Sequence, residues 1–436
     1  MLYKFKKLFK DDLIRHTAIV FLGTGLVGVF NLLYHLVTVR ILTPEDYGTF
    51  NALVSFVMFT SMAISPLGTT LTRFFTEYIA KDNLTILFFT FKKFTKQLIA
   101  IAFIIGGLFF VFSPLLAGFL KTSILYIFVC GAIVITSLFS VPLISLFQSF
   151  QRFVVYSLFG IVASLGKLIF GTLFMLLGIK VLGGLSGFLV GPILIILVAL
   201  FFIPKLFKEK MGHIDKSALV KVNLTPIYKY FFPVGIIMLS FTFLTTIDVI
   251  LVKHFFSSLD AGYYSIAQMV GKIALFLPSA LAIVILPKSI KAHVTNSSSI
   301  KLLYKSLTLA GICCFTFTLV SFLFPNFLLT VLAGKSNPVS RELVGLFALA
   351  MSFYAFTWIV INYLLATHNL KFTIPLLAIA IFEAVAIYNY HPRLIMVVYI
   401  LLIFGVISLF SSLLVVKANQ KRRKQGINES KLGIII

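Results

Sequence analysis

The sequence predicts an all-α polytopic membrane protein of about twelve transmembrane helices. Three observations predict it. Hydrophobic residues make up 60% of the 436-residue chain, against roughly half in a soluble domain. Charged residues make up only 11%, against about a quarter. Apolar stretches long enough to cross a bilayer, which takes about 20 residues, recur along the whole chain. So few polar groups cannot cover a soluble surface, and disorder requires low hydrophobicity. Both of those classes are excluded.

The first element is residues 1–15, MLYKFKKLFKDDLIR. Leu2, Phe5, Leu8, Phe9 and Leu13 are interleaved with Lys4, Lys6, Lys7 and Lys10, the pattern of an amphipathic helix on a membrane surface. The apolar run behind it is too long for a signal peptide, and no small-residue cleavage site closes it. Apolar segments then follow at about 16–39, 48–73, 97–120, 124–147, 154–178, 182–204, 230–252, 262–287, 303–325, 342–366, 372–389 and 394–416. Pro114 and Pro278 predict kinks in the third and the eighth. The longest connection, 205–229, divides them into an N-terminal six-helix bundle, 16–204, and a C-terminal one, 230–416. A basic tail, 417–436, completes the sequence.

The net charge is +24, from 37 Lys and Arg against 13 Asp and Glu. In a soluble protein that surplus would point to nucleic acid. No soluble domain exists here to bind it, so no nucleic acid is expected. The surplus reads instead as basic loops held on the cytoplasmic side, against anionic lipids. With the N-terminus inside, 27 basic residues fall in cytoplasmic stretches, 7 in outer stretches and three within the spans. That asymmetry predicts a multi-pass protein of the cytoplasmic membrane with both termini cytoplasmic. It also requires an even number of spans, in agreement with twelve.

A weak internal repeat supports the two bundles. VRILTPEDYGTFNAL begins at Val39, near the end of the first span. VKHFFSSLDAGYYSIA begins at Val252, near the end of the seventh. Arg40 matches Lys253, Asp46 roughly matches Asp260, Gly48 matches Gly262 and Phe50 matches Tyr264, with one inserted residue. The two spans run in the same direction, so the repeat is parallel, with a pseudo-two-fold axis along the membrane normal.

Enzymatic motifs are missing. A phosphate-cradling loop, G-x-x-x-x-G-K-[ST], would need a leading glycine before one of the three Gly-Lys pairs at 166–167, 271–272 and 334–335. Ile161, Ile266 and Leu329 stand there instead. The outer loops are too short to hold substrate as glycan polymerases and ligases do. Cys130, Cys313 and Cys314 sit in apolar runs without metal spacing or a pairing pattern. No enzyme, no metal and no cofactor is expected beyond a coupling H⁺ or Na⁺.

The informative residues are the ionisable groups inside spans: Arg73, Lys167, Asp248, Lys272 and Glu383. A charge at mid-bilayer costs roughly 2.5–3.5 kcal/mol on insertion scales, so such groups face a cavity or a partner, or snorkel to the interface. Polar and small residues share helical faces with them. The stripes are Thr24, Gly28, Asn31, His35 and Thr38; Asn51, Ser55, Met58, Met62, Ser65, Thr69 and Arg73; Ser157, Gly160, Ser164, Lys167 and Gly171; Thr242, Thr245 and Asp248; and Ser265, Gln268 and Lys272. Stripes carrying a charge or an amide fit a wet cavity. Gly183, Gly187 and Gly191 fit helix packing alone. Arg73, Lys167 and Lys272 are therefore the basic cavity candidates, with Asn31, His35, Asn51 and Gln268 as polar ones. His35 and Asp248 occupy pseudo-equivalent positions, five residues before Arg40 and Lys253. Asp248 and Glu383 are either coupling-ion sites or structural ion-pair partners, with Lys272 the candidate partner of Asp248.

HLVTVRILTPEDYGTFNAL, DVILVKHFFSSLDAGYYS and ILPKSI at 285–290 resemble the polysaccharide transport family. These are flippases for lipid-linked oligosaccharides within the multidrug/oligosaccharidyl-lipid/polysaccharide exporter superfamily. The resemblance covers almost the whole chain. It implies two bundles forming a V around a central cavity that opens alternately to each side. It also implies a lipid-linked oligosaccharide as substrate, a glycan polymerase and other export components as candidate partners, and a role in surface polysaccharide or lipopolysaccharide biosynthesis. A polar, net-positive cavity suits an anionic pyrophosphate carrying a glycan.

Three other readings stay open. A cation-coupled multidrug exporter of the same superfamily commonly carries an acidic residue in its first span, and this chain has none there, since Asp11 and Asp12 precede it. A lipid II flippase generally has fourteen spans. A membrane scaffold has no reason to bear the cost of buried charges.

Overall fold

A computed structural model of the protein describes residues 12–62, 64–210, 225–278, 299–366 and 372–424. Most of the expected surface helix 1–15, residues 211–224 of the expected loop, the ILPKSI motif and the end of the tail lie outside the described residues. Regular structure among the described residues is helical throughout. The chain divides into two compact units, Met1–Met238 with Val252–Ser265, and Leu239–Leu251 with Ile266–Ile436. The chain leaves the first unit at Met238 and returns to it for Val252–Ser265.

The first unit contains α1 (Asp12–Ile41), α2 (Pro44–Met62), α3 (Ser65–Ala80), α4 (Leu84–Phe119), α5 (Ile124–Ser149), α6 (Phe153–Phe174) and α7 (Lys180–Lys210). Their starts follow local chemistry. Glu45 and Asp46 stand in the first turn of α2, where the helix dipole favours negative charge. Pro66 opens α3, where its missing N–H costs nothing. Asn83 Oδ1 accepts from the Ile86 N–H at 3.1 Å at the start of α4, and Ser123 Oγ accepts from the Leu125 N–H at 3.3 Å at the start of α5. Pro114 lies inside an uninterrupted α4. α7 continues through Lys210, so residues 205–210 are helix rather than loop.

One continuous apolar stretch, Phe153–Pro204, is 52 residues long. At about 1.5 Å per residue it would reach roughly 78 Å, more than twice a hydrocarbon core. It folds back instead at a π-helical turn, Met175–Ile179, where Gly178 has φ 85 and Lys180 has φ 46. Only glycine reaches such φ without steric cost. α6 and α7 then pack along their length, with Gly171 and Gly187 close enough that a Cβ on Gly171 would stand 3.3 Å from the Gly187 Cα.

The returning segment Val252–Ser265 docks in the same unit. Lys253 is 1% exposed and donates to Ser258 Oγ at 2.9 Å. The His254 ring stacks on Phe119 with centroids 3.9 Å apart, and its Nδ1 lies 2.8 Å from the Phe119 carbonyl oxygen. Gly262 abuts Gly48 and the Pro44 carbonyl. The two copies of the repeat motif thus touch through their glycines.

α8 (Thr225–Leu244) and α9 (Ile247–Phe255) are bent by 44° at their junction. α8 begins at Thr225, so 225–229 is also helix. Thr245 Oγ1 donates to the Phe241 carbonyl at 3.2 Å and Thr246 Oγ1 to the Thr242 carbonyl at 2.6 Å. Such back-bonding loosens the backbone ladder and bends helices. The described part of the eighth apolar segment forms α10 (Ser258–Gly271) and the single turn α11 (Ile273–Phe276), interrupted at Lys272; the chain that follows Pro278 lies outside the described residues.

The second unit holds, beyond parts of α8–α10 and all of α11, α12 (Ser299–Leu323), α13 (Pro325–Ala333), α14 (Pro338–Ala366), α15 (Thr373–Asn389) and α16 (Leu394–Lys424). α13 ends on Gly334 in the left-handed conformation, φ 68. α14 is its central helix, packed against α11, α12 and α16, with Phe347, Met351, Tyr354 and Ile359 fully buried. Outward faces carry exposed Phe315, Ile374, Phe382 and Phe410. On a protein of this composition those faces meet lipid. Among the described residues eight helices are long and apolar enough to cross a membrane, nine with the bent pair.

Candidate functional site

The first unit builds a site around Lys167, on the fold-back of α6. Its Nζ donates to Asn31 Oδ1 on α1. The same amine lies 4.4 Å from the Phe188 ring centroid and 4.9 Å from that of Tyr34. Both are within cation–π range. Tyr34 is fully buried, donates its hydroxyl to the Gly184 carbonyl at 2.5 Å, and meets Phe188 edge-to-face at 5.6 Å. Three glycines permit this approach. A Cβ on Gly171 would stand 2.7 Å from Tyr34 Cε2, one on Gly187 2.8 Å from the Lys167 carbonyl oxygen, and one on Gly184 2.7 Å from Phe50 Cε2. Among the described residues no carboxylate forms a salt bridge with Lys167. The ammonium is held by a neutral amide and two ring faces, so its positive charge stays uncompensated.

The second unit holds a buried acidic cluster. The bend between α8 and α9 sets Asp248 in the first turn of α9, where the dipole favours a carboxylate. Its Oδ2 accepts from Gln268 Nε2 at 2.7 Å, and both residues are at most 1% exposed. On α15, Glu383 is fully buried; its Oε2 lies 2.5 Å from the Tyr354 hydroxyl, which also reaches the Leu401 carbonyl at 3.1 Å. Glu383 Oε1 is buried without a hydrogen-bond partner among the described residues. The charge of Asp248 reaches Glu383, Tyr354 and Lys272. Lys272 stands at the interruption between α10 and α11, with its backbone N–H on the Gln268 carbonyl at 2.8 Å.

Of the residues singled out in the sequence, Lys167 and Asn31 come into direct contact. His35 lies edge-on to Tyr34, ring centroids 6.0 Å apart. Asn51 is half-buried on α2, and Arg73 is exposed on α3 within electrostatic reach of Glu77. Asp248, Gln268, Lys272 and Glu383 gather in the second unit. Sequence reasoning passed over Tyr34, Phe188 and Tyr354; Gly187, assigned to packing, packs against the backbone of Lys167 and Gly171. The three-residue steps from Ser164 to Lys167 and from Gly28 to Asn31 were visible; which of 49 Phe and 16 Tyr residues would face the amine was not.

The fold recurs in solved transporters. The lipid II flippase MurJ in an inward closed conformation aligns with a TM-score of 0.70 at 14% identity, over 92% of this chain and 87% of that one. The eukaryotic MATE transporter AtDTX14 aligns at 0.63 and 12% identity, over 95% and 100%. A MOP superfamily transporter from Pyrococcus furiosus, described as having a binding pocket of reversed polarity, aligns at 0.61 and 11%, over 93% and 95%. At these identities the likeness establishes the all-α polytopic fold. No curated protein matches the chain. The profile of a family described as "Polysaccharide biosynthesis protein" matches residues 13–293, which is more than half of the sequence. The chain therefore belongs to the polysaccharide biosynthesis protein family, as a multi-pass membrane protein.

Proposed function

We propose that the protein moves a polyprenyl-pyrophosphate-linked oligosaccharide from the inner to the outer leaflet of the cytoplasmic membrane, through twelve spans with both termini cytoplasmic. The observation that carries this reading is Lys167, whose ammonium meets Asn31, Tyr34 and Phe188 and, among the described residues, no neutralising carboxylate. A transporter that hides an anionic pyrophosphate while its lipid tail stays in the bilayer needs such a cation. Arg73 in the first unit and Lys272 in the second are further basic candidates for phosphate contact. Asn31, His35, Asn51 and Gln268 are polar candidates for glycan contact. Asp248 and Glu383 are candidates for a coupling H⁺ or Na⁺. Alternating access by the two repeats follows from their parallel relation. Basic loops against anionic lipids fit the charge asymmetry, and a glycan polymerase with other export components would act next on the product.

A multidrug exporter for cations is supported less well, because α1 has no acidic residue beyond Asp12 at its start and the site around Lys167 is basic. Deletion in the native host tests the reading. Unextended lipid-linked oligosaccharide should build up in the inner leaflet while surface glycan falls. Normal surface glycan after deletion, with a changed drug sensitivity, would transfer the protein to the exporter class.

A further inference from the structure

We propose that Tyr34 and Phe188 are positioning residues, whose ring faces hold the Lys167 ammonium in place with its charge intact for a phosphate-bearing headgroup. This inference rests on the function proposed above and names the residues that would make Lys167 serve it.

The argument starts from what an ammonium needs when it leaves water. It has three N–H donors and a full charge. A carboxylate would satisfy it best, yet would cancel the field that attracts an anion. A purely aliphatic surrounding would leave it unstabilised at the cost cited for mid-bilayer charge. Here the surroundings take a middle course. One donor is directed to the neutral Asn31 amide oxygen. The Phe188 and Tyr34 rings, at 4.4 and 4.9 Å, stabilise the charge through their negative faces without neutralising it. The ammonium keeps further N–H donors for an incoming oxyanion.

The clamp is itself anchored. The Tyr34 hydroxyl is tied to the Gly184 carbonyl, so its ring plane is fixed from the opposite end. Phe188 is seated edge-to-face on Tyr34 and tilted against Phe50 at 6.2 Å. Gly187, immediately before Phe188, lies on the Lys167 backbone. That contact brings the Phe188 ring over the amine. Asn31, Tyr34, Lys167 and Phe188 thus come from three helices of one unit and converge on one nitrogen.

The experiment uses the full-length protein in lipid nanodiscs with ¹³Cε-labelled lysine, the Lys167 signal being identified by its loss in Lys167→Gln. A lysine between two ring faces carries a ring-current shift away from the common lysine position. Phe188→Leu should remove that shift, Phe188→Tyr should restore it, and Phe201→Leu, at an exposed face, should leave it. Binding of undecaprenyl pyrophosphate, inorganic pyrophosphate and undecaprenol is measured on the same variants. Phe188→Leu should weaken binding of the pyrophosphate lipid about fivefold, with Phe188→Tyr restoring it and undecaprenol unaffected. Parallel weakening for inorganic pyrophosphate assigns the site to the phosphate group whatever carries it; weakening for the lipid alone assigns it to a lipid headgroup. The positioning role is overturned if no ring-current shift exists, if Phe188→Leu leaves both pyrophosphates bound as before, or if undecaprenol weakens equally. The function reading fails separately. If Lys167→Gln binds and transports normally, Lys167 is not the anion's partner. If Lys167→Gln loses binding and Phe188→Leu does not, only the clamp is wrong.

Discussion

Gly48 and Gly262 meet backbone to backbone. A Cβ on Gly48 would stand 2.6 Å from the Gly262 nitrogen, and one on Gly262 would collide with the Pro44 carbonyl oxygen. These are the matched glycines of the internal repeat, so the similarity between the two motifs includes the residue through which they touch. Backbone atoms cannot swing aside as the end of a side chain can. Gly262→Ala should therefore force the segments apart and cost about 1–3 kcal/mol, as overpacking does. It should lower the melting temperature in detergent, whereas Gly107→Ala, whose Cβ meets nothing within 4 Å, should not lower it. Equal melting of Gly262→Ala and the parent would disprove the close contact.

Gly187 gives a second prediction, for transport. Its missing Cβ leaves room for the Lys167 carbonyl oxygen at 2.8 Å and for Lys167 Cγ at 3.2 Å. Gly187→Ala should displace α7 from α6 and move Phe188 off the amine. Surface glycan should fall at unchanged protein level, as it should in Lys167→Gln. Lys167→Arg should be tolerated better, since it keeps the charge and a planar cation still stacks on rings. Full glycan export by Gly187→Ala would show that the spacing of the two helices does not matter to function.

The proposed topology makes a third. Ser258 is exposed and accepts from the buried Lys253, and Ser217 belongs to the expected cytoplasmic connection. In a background without Cys313, which is exposed, Ser258→Cys should react with an impermeant maleimide added outside intact cells. Ser217→Cys should react only after permeabilisation. The reverse pattern would invert the orientation drawn from the basic residues.

The spans were legible because hydropathy acts over some twenty residues and needs no partner. α1, α5, α6 and α7 fall close to apolar segments, while the single segment 48–73 lies over both α2 and α3, and α4 starts at Leu84, well before the expected 97. Local interruptions were less legible. Pro114, the residue type that most often breaks a helix, sits in a continuous α4, while the 44° bend arises at Thr245 and Thr246, whose hydroxyls compete for carbonyls. The site was half legible. Charge and amide stand out against an apolar background, so Lys167 and Asn31 could be singled out, and the structure brings the two into contact. Tyr34 and Phe188 did not stand out, because an aromatic that faces a cation has the same local spacing as one that faces lipid.

The acidic cluster of the second unit carries the last prediction. Asp248 and Glu383 come from α9 and α15 and lie within each other's electrostatic reach; Gln268 donates to Asp248 and Tyr354 to Glu383. Both donors are uncharged, so neither cancels a carboxylate's charge. Removing a donor from a buried acceptor costs about 1–3 kcal/mol, and the loss is larger when the acceptor is ionised. Tyr354→Phe should therefore lower thermal stability, because Glu383 would lose the partner of Oε2 while Oε1 already has none among the described residues. Asp248→Asn tests coupling instead, since it keeps the shape and removes the charge. In proteoliposomes, flipping by Asp248→Asn should lose its dependence on an imposed proton or sodium gradient. If Asp248→Asn keeps the gradient dependence, Asp248 is not the coupling group. If it instead unfolds the protein and Lys272→Met in the same chain restores it, the carboxylate serves to balance Lys272, and the coupling role passes to Glu383 or to neither.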